Sequence, residues 1–209
     1  MNDVPWDKTA ALEIADPDKT VNYVTCHDNY TLYDRFIATK KFTAEDEELL
    51  VKMNLLSNAV AILSQGTSFM LAGEEFLRTK GGDHNSYCSS YEVNELDYSL
   101  KIKHLDMVEA YKKMITIKEN EPLLHLNKEQ TEAYAPTMSA TSSYIEYRLG
   151  ENAEIIIIHA NGVGSTTTFD LSGYHVFLST LHPNAIEAGG QRTLEKYETI
   201  VAVYDNYLI

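Results

Sequence analysis

Three consecutive polar residues, His27, Asp28 and Asn29, follow an apolar run of β-forming residues that begins at Val21. Polar side chains at the end of a buried strand are costly unless they are paired with other groups. In barrels built from parallel strands, the carboxyl ends of the strands are where active sites lie. An imidazole next to a carboxylate at that position can orient a substrate or take part in catalysis. The segment therefore indicates one wall of a reaction site.

Two other interpretations of this segment stay open from its residues alone. In the first, Asp28 and Asn29 only satisfy backbone groups of the turn that ends the strand. In the second, His27 and Asp28 belong to a metal site, which needs further ligands. The remaining histidines stand at no metal-motif spacing: His84, His104, His125, His159, His175 and His182. Because the chain also lacks a Cys-x-x-Cys pair and a nucleotide-binding glycine motif, no metal and no cofactor is predicted.

Two further polar groups come later in the chain. Glu74 and Glu75 follow a second apolar run, and in an extended segment they would point to opposite faces. At least one of them is then expected to act as a cap or as an ion-pair partner of Arg78 or Lys80. The polar loop beyond them carries candidate binding residues, for which a merely solvated loop is the alternative: Asn85, Ser86, Tyr87 and Asn94.

The elements that must position these residues form a strand, helix, strand unit. The sequence predicts a strand at Val21–Cys26, a helix at Glu45–Ser64 and a strand at Thr67–Ala72. Thr43 precedes four acidic residues, which is a good helix start because a hydroxyl cap comes before negative charge in the first turn. The two strands should be parallel. A second helical period is predicted over Leu100–Lys118.

Beyond Pro122 the pattern changes to short β-type runs separated by turn residues. The predicted strands are Thr131–Ala135, Ser143–Arg148, Glu154–Ala160, Ser165–Asp170, His175–Ser179 and Thr199–Tyr204. Six short strands without a helix between them favour an antiparallel β-sandwich. The fold class predicted is thus α/β plus all-β, with one domain over residues 1–120 and a β-sandwich domain over residues 121–209.

The composition of the chain argues against some classes of binding partner. The 209-residue chain has 31 acidic and 17 basic residues, a formal net charge of −14, which argues against nucleic acid and anionic membranes as partners. Its 14 tyrosines suit stacking on sugar rings but are also common in β-domains. Cys26 and Cys88 form no disulfide framework. No apolar run is long enough to span a bilayer, and no leader is recognisable, although a leader would lie upstream if Met1 is not the natural start.

Taken together, three segments resemble type I pullulanase, a starch-debranching member of the α-amylase superfamily: NYVTCHDNYTLYD, SQGTSFMLAGEEFLRTKGGDHNSY and EVNELDYS. The resemblance covers roughly Val21 to Ser99. Two loop residues depart from the family pattern, Tyr98 where tryptophan is usual and Tyr91 where aspartate is common. The resemblance implies the last two strands of a (β/α)₈ TIM barrel followed by a C-terminal β-sandwich.

The same resemblance implies a function and site residues. The parent enzyme would hydrolyse α-1,6 branch linkages of pullulan, amylopectin or limit dextrins with retention of configuration. By motif match, Asp28 is the catalytic carboxylate that stabilises the transition state, and His27 donates to sugar hydroxyls. Asn29, Asn85, Tyr87 and Asn94 are the further candidates for substrate binding. Family members are often secreted or attached to the cell surface, so that location is expected over a cytoplasmic one.

A retaining glycosidase also needs a nucleophile and a general acid/base. In the family both come from earlier strands, and a whole barrel takes about 250 residues. We therefore expect this chain to be a C-terminal fragment that is inactive alone and that self-associates through exposed strand edges. The alternatives are a non-catalytic carbohydrate-binding or structural module, and an isoamylase-like or branching enzyme of the same superfamily.

Overall fold

The computed structural model describes residues 16–134, 136–161, 167–185 and 187–207. These residues contain six α-helices: α1 Leu32–Ala38, α2 Glu47–Ile62, α3 Tyr91–Asn94, α4 Tyr98–Lys103, α5 Leu105–Asn120 and α6 Lys128–Tyr134. They also contain ten strands: β1 Val21–Asn22, β2 Thr67–Ser68, β3 Thr137–Ala140, β4 Tyr144–Leu149, β5 Ile155–Ala160, β6 Thr168–Asp170, β7 Tyr174–Ser179, β8 Glu187–Ala188, β9 Gln191–Thr193 and β10 Thr199–Tyr204. The fold mixes helices with antiparallel sheets, in agreement with the broad class predicted.

The β1–β2 pair is parallel, as predicted, but each strand has only two residues. Val21 lies opposite Thr67, and Asn22 lies opposite Ser68. Neither strand has a second neighbour among the described residues. Because a two-stranded ladder is marginal without further strands, the regular pairing ends long before the predicted bounds at Cys26 and Ala72.

Helix α2 joins the two strands and confirms the predicted helix to within two residues at each end. The Thr43 hydroxyl and the Asp46 carboxylate form a capping box over the short 3-10 turn that precedes the helix. At the other end Gly66 has φ 88°, and a Cβ there would lie 2.0 Å from the Thr20 hydroxyl. Only glycine fits that close approach, which turns the chain from the helix into β2.

The six strands β3, β4, β5, β10, β7 and β8 form an antiparallel sheet in that order within the described residues. Every residue of β5 is buried, as are the first five residues of β10. Alternate side chains point to opposite faces of a sheet, so an unbroken apolar run requires cover on both faces. Ile155 and Ile157 pack on one face with helices α2 and α5. Ile156 and Ile158 pack on the other face against residues that include Phe169.

The strand predicted at Thr131–Ala135 is wrong, because Thr131 to Tyr134 lie in helix α6 and Ala135 lies outside the described residues. The cause is local. The Asn127 side chain accepts from the Gln130 N–H at 2.8 Å, and the Gln130 side chain accepts from the Asn127 N–H at 3.0 Å. This reciprocal capping starts a helix despite the β-type residues that follow. Strands β3, β8 and β9 were not predicted.

The long helix predicted over Leu100–Lys118 is interrupted at His104, which separates α4 from α5. Helix α5 ends at Asn120, near the predicted domain boundary. Across that boundary the packing is continuous, because Tyr111 and Met114 of α5 share one apolar core with Leu178 and Val201 of the sheet. Throughout the described residues, each helix is too short or too polar to cross a lipid bilayer.

Candidate active site

The His27–Asp28 pair lies in the turn that follows β1. The His27 Nε2 and Asp28 Oδ2 atoms are 3.6 Å apart, and the two side chains are 83% and 73% exposed. Exposure removes the desolvation cost that a buried polar pair would carry. Asn29 has φ 65°, a left-handed conformation that asparagine tolerates better than most residues. The turn therefore presents an imidazole and a carboxylate toward solvent, where a ligand can reach both.

A small pocket of about 120 Å³ lies beside this pair. Its walls are His27, Asp28, Lys80, His84, Asn85, Ser86, Tyr87 and Asn94. Five of the six residues predicted to form the site thus come together in the structure: His27, Asp28, Asn85, Tyr87 and Asn94. Asn29 is not among the described residues that line the pocket, and its predicted contact with substrate stays a prediction.

The loop that supplies the opposite wall folds on its own polar groups. The Asn94 side-chain amide donates to the Ser86 carbonyl at 2.8 Å and to the Ser89 carbonyl at 3.3 Å. Arg78 Nη2 donates to the Asn94 carbonyl at 2.6 Å. These bonds commit the amide of Asn94 to the loop, so this residue shapes the pocket more directly than it offers a donor to a ligand.

Asp83 organises the start of the same loop. Its carboxylate accepts from the Ser89 hydroxyl and, at 2.8 Å, from the Asn85 N–H. The hydrogen bond from Ser89, followed by that from the Asn85 backbone, lowers the pKa of Asp83. The polar loop that carries the candidate binding residues is thus ordered by hydrogen bonds, and it contains the short helix α3.

Glu74 corrects the prediction made for the Glu74–Glu75 pair. These residues do not extend a strand, because Gly73 turns the chain into a 3-10 helix at Glu74–Phe76. Glu75 caps its own turn by accepting from the Gly73 N–H at 2.9 Å. Among the described residues neither glutamate forms an ion pair with Arg78 or Lys80, so the cap alternative is the one that the structure supports.

The Glu74 carboxylate is buried and ties the turn after β1 to the helices beneath it. It accepts from the Thr25 hydroxyl, from the Leu32 N–H at 3.3 Å, and from Asn54 at 3.4 Å. Burial raises the pKa of Glu74, and the hydrogen bonds that it accepts partly oppose that rise. Thr25 lies two residues before His27, so Glu74 fixes the base of the wall. The sequence did not distinguish this glutamate from its neighbour.

The polar loop and the start of helix α4 carry three exposed tyrosines, of which Tyr87 lines the pocket. The fractional exposures of Tyr87, Tyr91 and Tyr98 are 84%, 76% and 61%. The Tyr98 ring contacts the buried Phe76 ring with 5.9 Å between centroids, which holds it against the loop base. Flat aromatic faces with a hydroxyl at the rim suit the apolar faces and hydroxyl edges of sugars.

A larger apolar hollow of about 450 Å³ lies elsewhere, beside β2. Phe69, Met70, Ile115 and Leu126 are among its lining residues, and it shares none with the His27–Asp28 pocket. No group of three or more histidine, cysteine, aspartate or glutamate residues in the described part of the chain could hold a metal ion.

Sequence comparisons find pullulanases and an isoamylase among the relatives of this chain. The chain is 29% identical to a pullulanase of Bacillus subtilis (strain 168) over 161 residues, which is 74% of this chain and 22% of that protein. It is 42% identical to a Klebsiella aerogenes pullulanase over 87 residues, which is 42% of this chain and 8% of that protein. A chloroplastic isoamylase 1 of Oryza sativa is 25% identical over 44% of this chain and 15% of that protein. No family model matches the chain.

Solved structures of pullulanases are also similar to this chain. A pullulanase from Bacillus acidopullulyticus matches with a TM-score of 0.75 and 28% identity, covering 90% of this chain and 24% of that chain. A pullulanase from Anoxybacillus sp. LM18-11, solved in complex with maltotriose, matches with a TM-score of 0.78 and 26% identity. That match covers 90% of this chain and 27% of that chain.

The relatives define the class first: this chain is similar to proteins named pullulanase, glycogen operon protein GlgX homolog and isoamylase, which supports a family of debranching enzymes. Within that class the resemblance to pullulanases that its motifs predict is confirmed over most of the chain. The chain spans about a fifth of the length of the Bacillus subtilis relative.

Proposed function

We propose that this chain is the C-terminal part of a pullulanase that hydrolyses α-1,6-glucosidic linkages with retention of configuration. In this proposal residues 1–120 form the end of a (β/α)₈ barrel, with β1 and β2 as its last two strands. Residues 121–209 form the C-terminal β-sandwich domain. The parallel β1–β2 pair joined through α2, and the antiparallel sheet that follows it, support this assignment.

The observation that carries the proposal is the exposed His27–Asp28 pair beside the pocket of the polar loop, in a chain similar to a pullulanase solved with maltotriose. In the proposed reaction Asp28 fixes the distorted sugar and stabilises the positive charge that develops on it. His27 donates to a sugar hydroxyl, while Asn29, Asn85 and Tyr87 contact neighbouring groups. Asn94 holds the loop in place.

The chemistry needs two further carboxylates, a nucleophile and a general acid/base, about 5 Å apart. We assign both to the part of the parent enzyme that precedes this chain. The 209-residue chain should therefore release no reducing sugar from pullulan. Measurable release by the purified chain would overturn this part of the proposal.

The role of Asp28 is tested in the longer parent protein. Asp28→Asn should lower kcat on pullulan by about 10³-fold or more, because the charge that stabilises the transition state is lost while the side-chain shape is kept. Asp106→Asn, an exposed aspartate on α5, is the matched control and should leave kcat unchanged. Near-normal turnover by Asp28→Asn would reject the role.

A second candidate is a non-catalytic carbohydrate-binding module, which the exposed Tyr91 and Tyr98 rings favour. Calorimetry of the 209-residue chain with maltotriose separates the two. Binding that is unchanged by Asp28→Asn but lost in Tyr91→Ala favours the module. An isoamylase-like parent would instead show greater activity on amylopectin than on pullulan.

A further inference from the structure

Lys80 is a buried cation beside the candidate site, and the roles proposed above do not use it. Its side chain lines the pocket, yet the residue is only 6% exposed. The ammonium donates to the His27 carbonyl at 3.1 Å and to the Ser86 hydroxyl at 2.7 Å. Among the described residues no carboxylate lies within ion-pair distance of it. A buried charge without a counter-ion is costly, and the hydrogen bonds to these two neutral acceptors offset part of that cost.

The backbone at Lys80 is fixed from below by helix α1. The buried Asp34 carboxylate accepts from the Lys80 N–H at 2.7 Å and from the Thr79 hydroxyl. Because Asp34 lies in the first turn of α1, the position of the Lys80 backbone is set independently of the pocket. The lysine side chain then extends from a fixed point toward the pocket wall.

The two acceptors of Lys80 belong to different walls of the pocket. His27 lies in the turn after β1, and Ser86 lies in the loop that carries Asn85 and Tyr87. Among the described residues no direct hydrogen bond joins residues 25–30 to residues 83–94. The two segments otherwise meet where the Tyr30 ring contacts His84, with 5.6 Å between ring centroids.

We propose that Lys80 is a positioning residue that joins the His27–Asp28 turn to the 83–94 loop and so sets the width of the pocket for one glucosyl unit. The choice of ligand rests on the proposed function, whereas the link between the two walls does not. A lysine suits this task because one ammonium group can donate to two acceptors that lie in different segments.

Hydrogen exchange of the 209-residue chain tests the link without any ligand. Lys80→Met keeps most of the side-chain volume and removes the donors, so amide exchange over residues 27–30 and 84–88 should rise at least tenfold. Exchange at residues 155–158 of β5 should not change. Lys80→Arg, which keeps charge and donors, should restore most of the protection.

Lys118→Met is the matched control, because Lys118 is also buried and also donates to two carbonyls, those of Ser64 and Leu124. It does not line the His27–Asp28 pocket. If Lys80→Met leaves the exchange of both walls unchanged, or if Lys118→Met loosens them equally, the proposal is overturned. If Lys80→Met does not fold, Ser86→Ala removes one acceptor and should loosen residues 84–88 alone; unchanged exchange there would also overturn it.

Titration with maltotriose, followed by NMR shifts of the pocket amides, tests the effect on the ligand. Lys80→Met should weaken binding at least fivefold, while Lys80→Arg and Lys118→Met should bind like the wild type. Equal binding by Lys80→Met and the wild type would contradict the proposed effect on pocket width. Absence of maltotriose binding to the wild type would reject the glucosyl ligand, and the exchange experiment would still decide the link.

Discussion

The six-stranded sheet and the β1–β2 pair are built from similar apolar β-type residues but differ in how they are covered. Strands β5 and β10 are buried on both faces within a continuous hydrogen-bonded ladder. In the β1–β2 pair Val21 is 58% exposed, and Tyr23 and Phe69, which directly follow the two strands, are 53% and 44% exposed. The candidate site lies next to the second region, where the geometry depends on polar contacts. Similar residue types are therefore buried in one region and exposed in the other, because the six-stranded sheet is covered on both faces.

The largest difference between the two regions is expected when an apolar side chain is shortened to alanine. Ile157→Ala in β5 should lower the free energy of unfolding by about 3–4 kcal/mol, because it leaves a cavity in a fully buried site. Val21→Ala in β1 should change it by about 0.5 kcal/mol or less, since the side chain is mostly exposed. Urea denaturation of both variants measures the difference. Similar losses for the two would refute the contrast.

A smaller effect on the free energy of unfolding is expected at low pH, and it should arise in the six-stranded sheet. His159 in β5 is buried, its Nδ1 lies 2.9 Å from the Thr199 hydroxyl, and its Nε2 has no hydrogen-bond partner among the described residues. Burial lowers the pKa of His159 to about 4. The unfolded chain binds the proton near pH 6.5, so stability is fully present above that pH and is lost as the pH falls toward 4.

Between pH 7.5 and pH 5, His159 should thus contribute a loss of about 2 kcal/mol. His159→Gln removes the ionisable imidazole. Over the same pH range the unfolding free energy of this variant should therefore fall by about 2 kcal/mol less than that of the wild type. His175→Gln serves as the control, because that ring lies near Asp205 at the surface side of β7. Parallel pH profiles for the wild type and His159→Gln would contradict this assignment.

The smallest effect on stability is expected at the β1–β2 surface, where association is the better measurement. Phe69 lines the apolar hollow beside β2, and unpaired strand edges with exposed apolar residues promote self-association. Phe69→Lys should shift the 209-residue chain toward monomer in sedimentation velocity, with a change in unfolding free energy below about 1 kcal/mol. A wild-type chain that is monomeric at high concentration would remove the basis for this prediction.

The sequence was sufficient to predict a helix or strand where a local residue pattern determines that element. Thr43 and the acidic run after it predicted the start of α2, and the apolar run at Ile155–Ile158 predicted β5. At α6 the same method failed, because the capping by Asn127 and Gln130 outweighed β-type residues that have no sheet to join.

The polar architecture of the site could be predicted only in part. His27 and Asp28 stand out because they end an apolar run. Lys80 does not, since its acceptor His27 is 53 residues away in the chain. In the sequence Glu74 cannot be distinguished from Glu75, because its partners Thr25 and Leu32 reach it only in the folded chain. Contacts of this kind follow from tertiary packing and have no local signal.

The core shared by α5 and the sheet couples the unfolding of these two parts of the protein. Tyr111 and Met114 pack against Leu178 and Val201, so disordering either part exposes apolar surface of the other. The two parts should therefore melt together in one cooperative transition. A sugar that stabilises the turn at His27 would then raise the melting temperature of strands that it never touches.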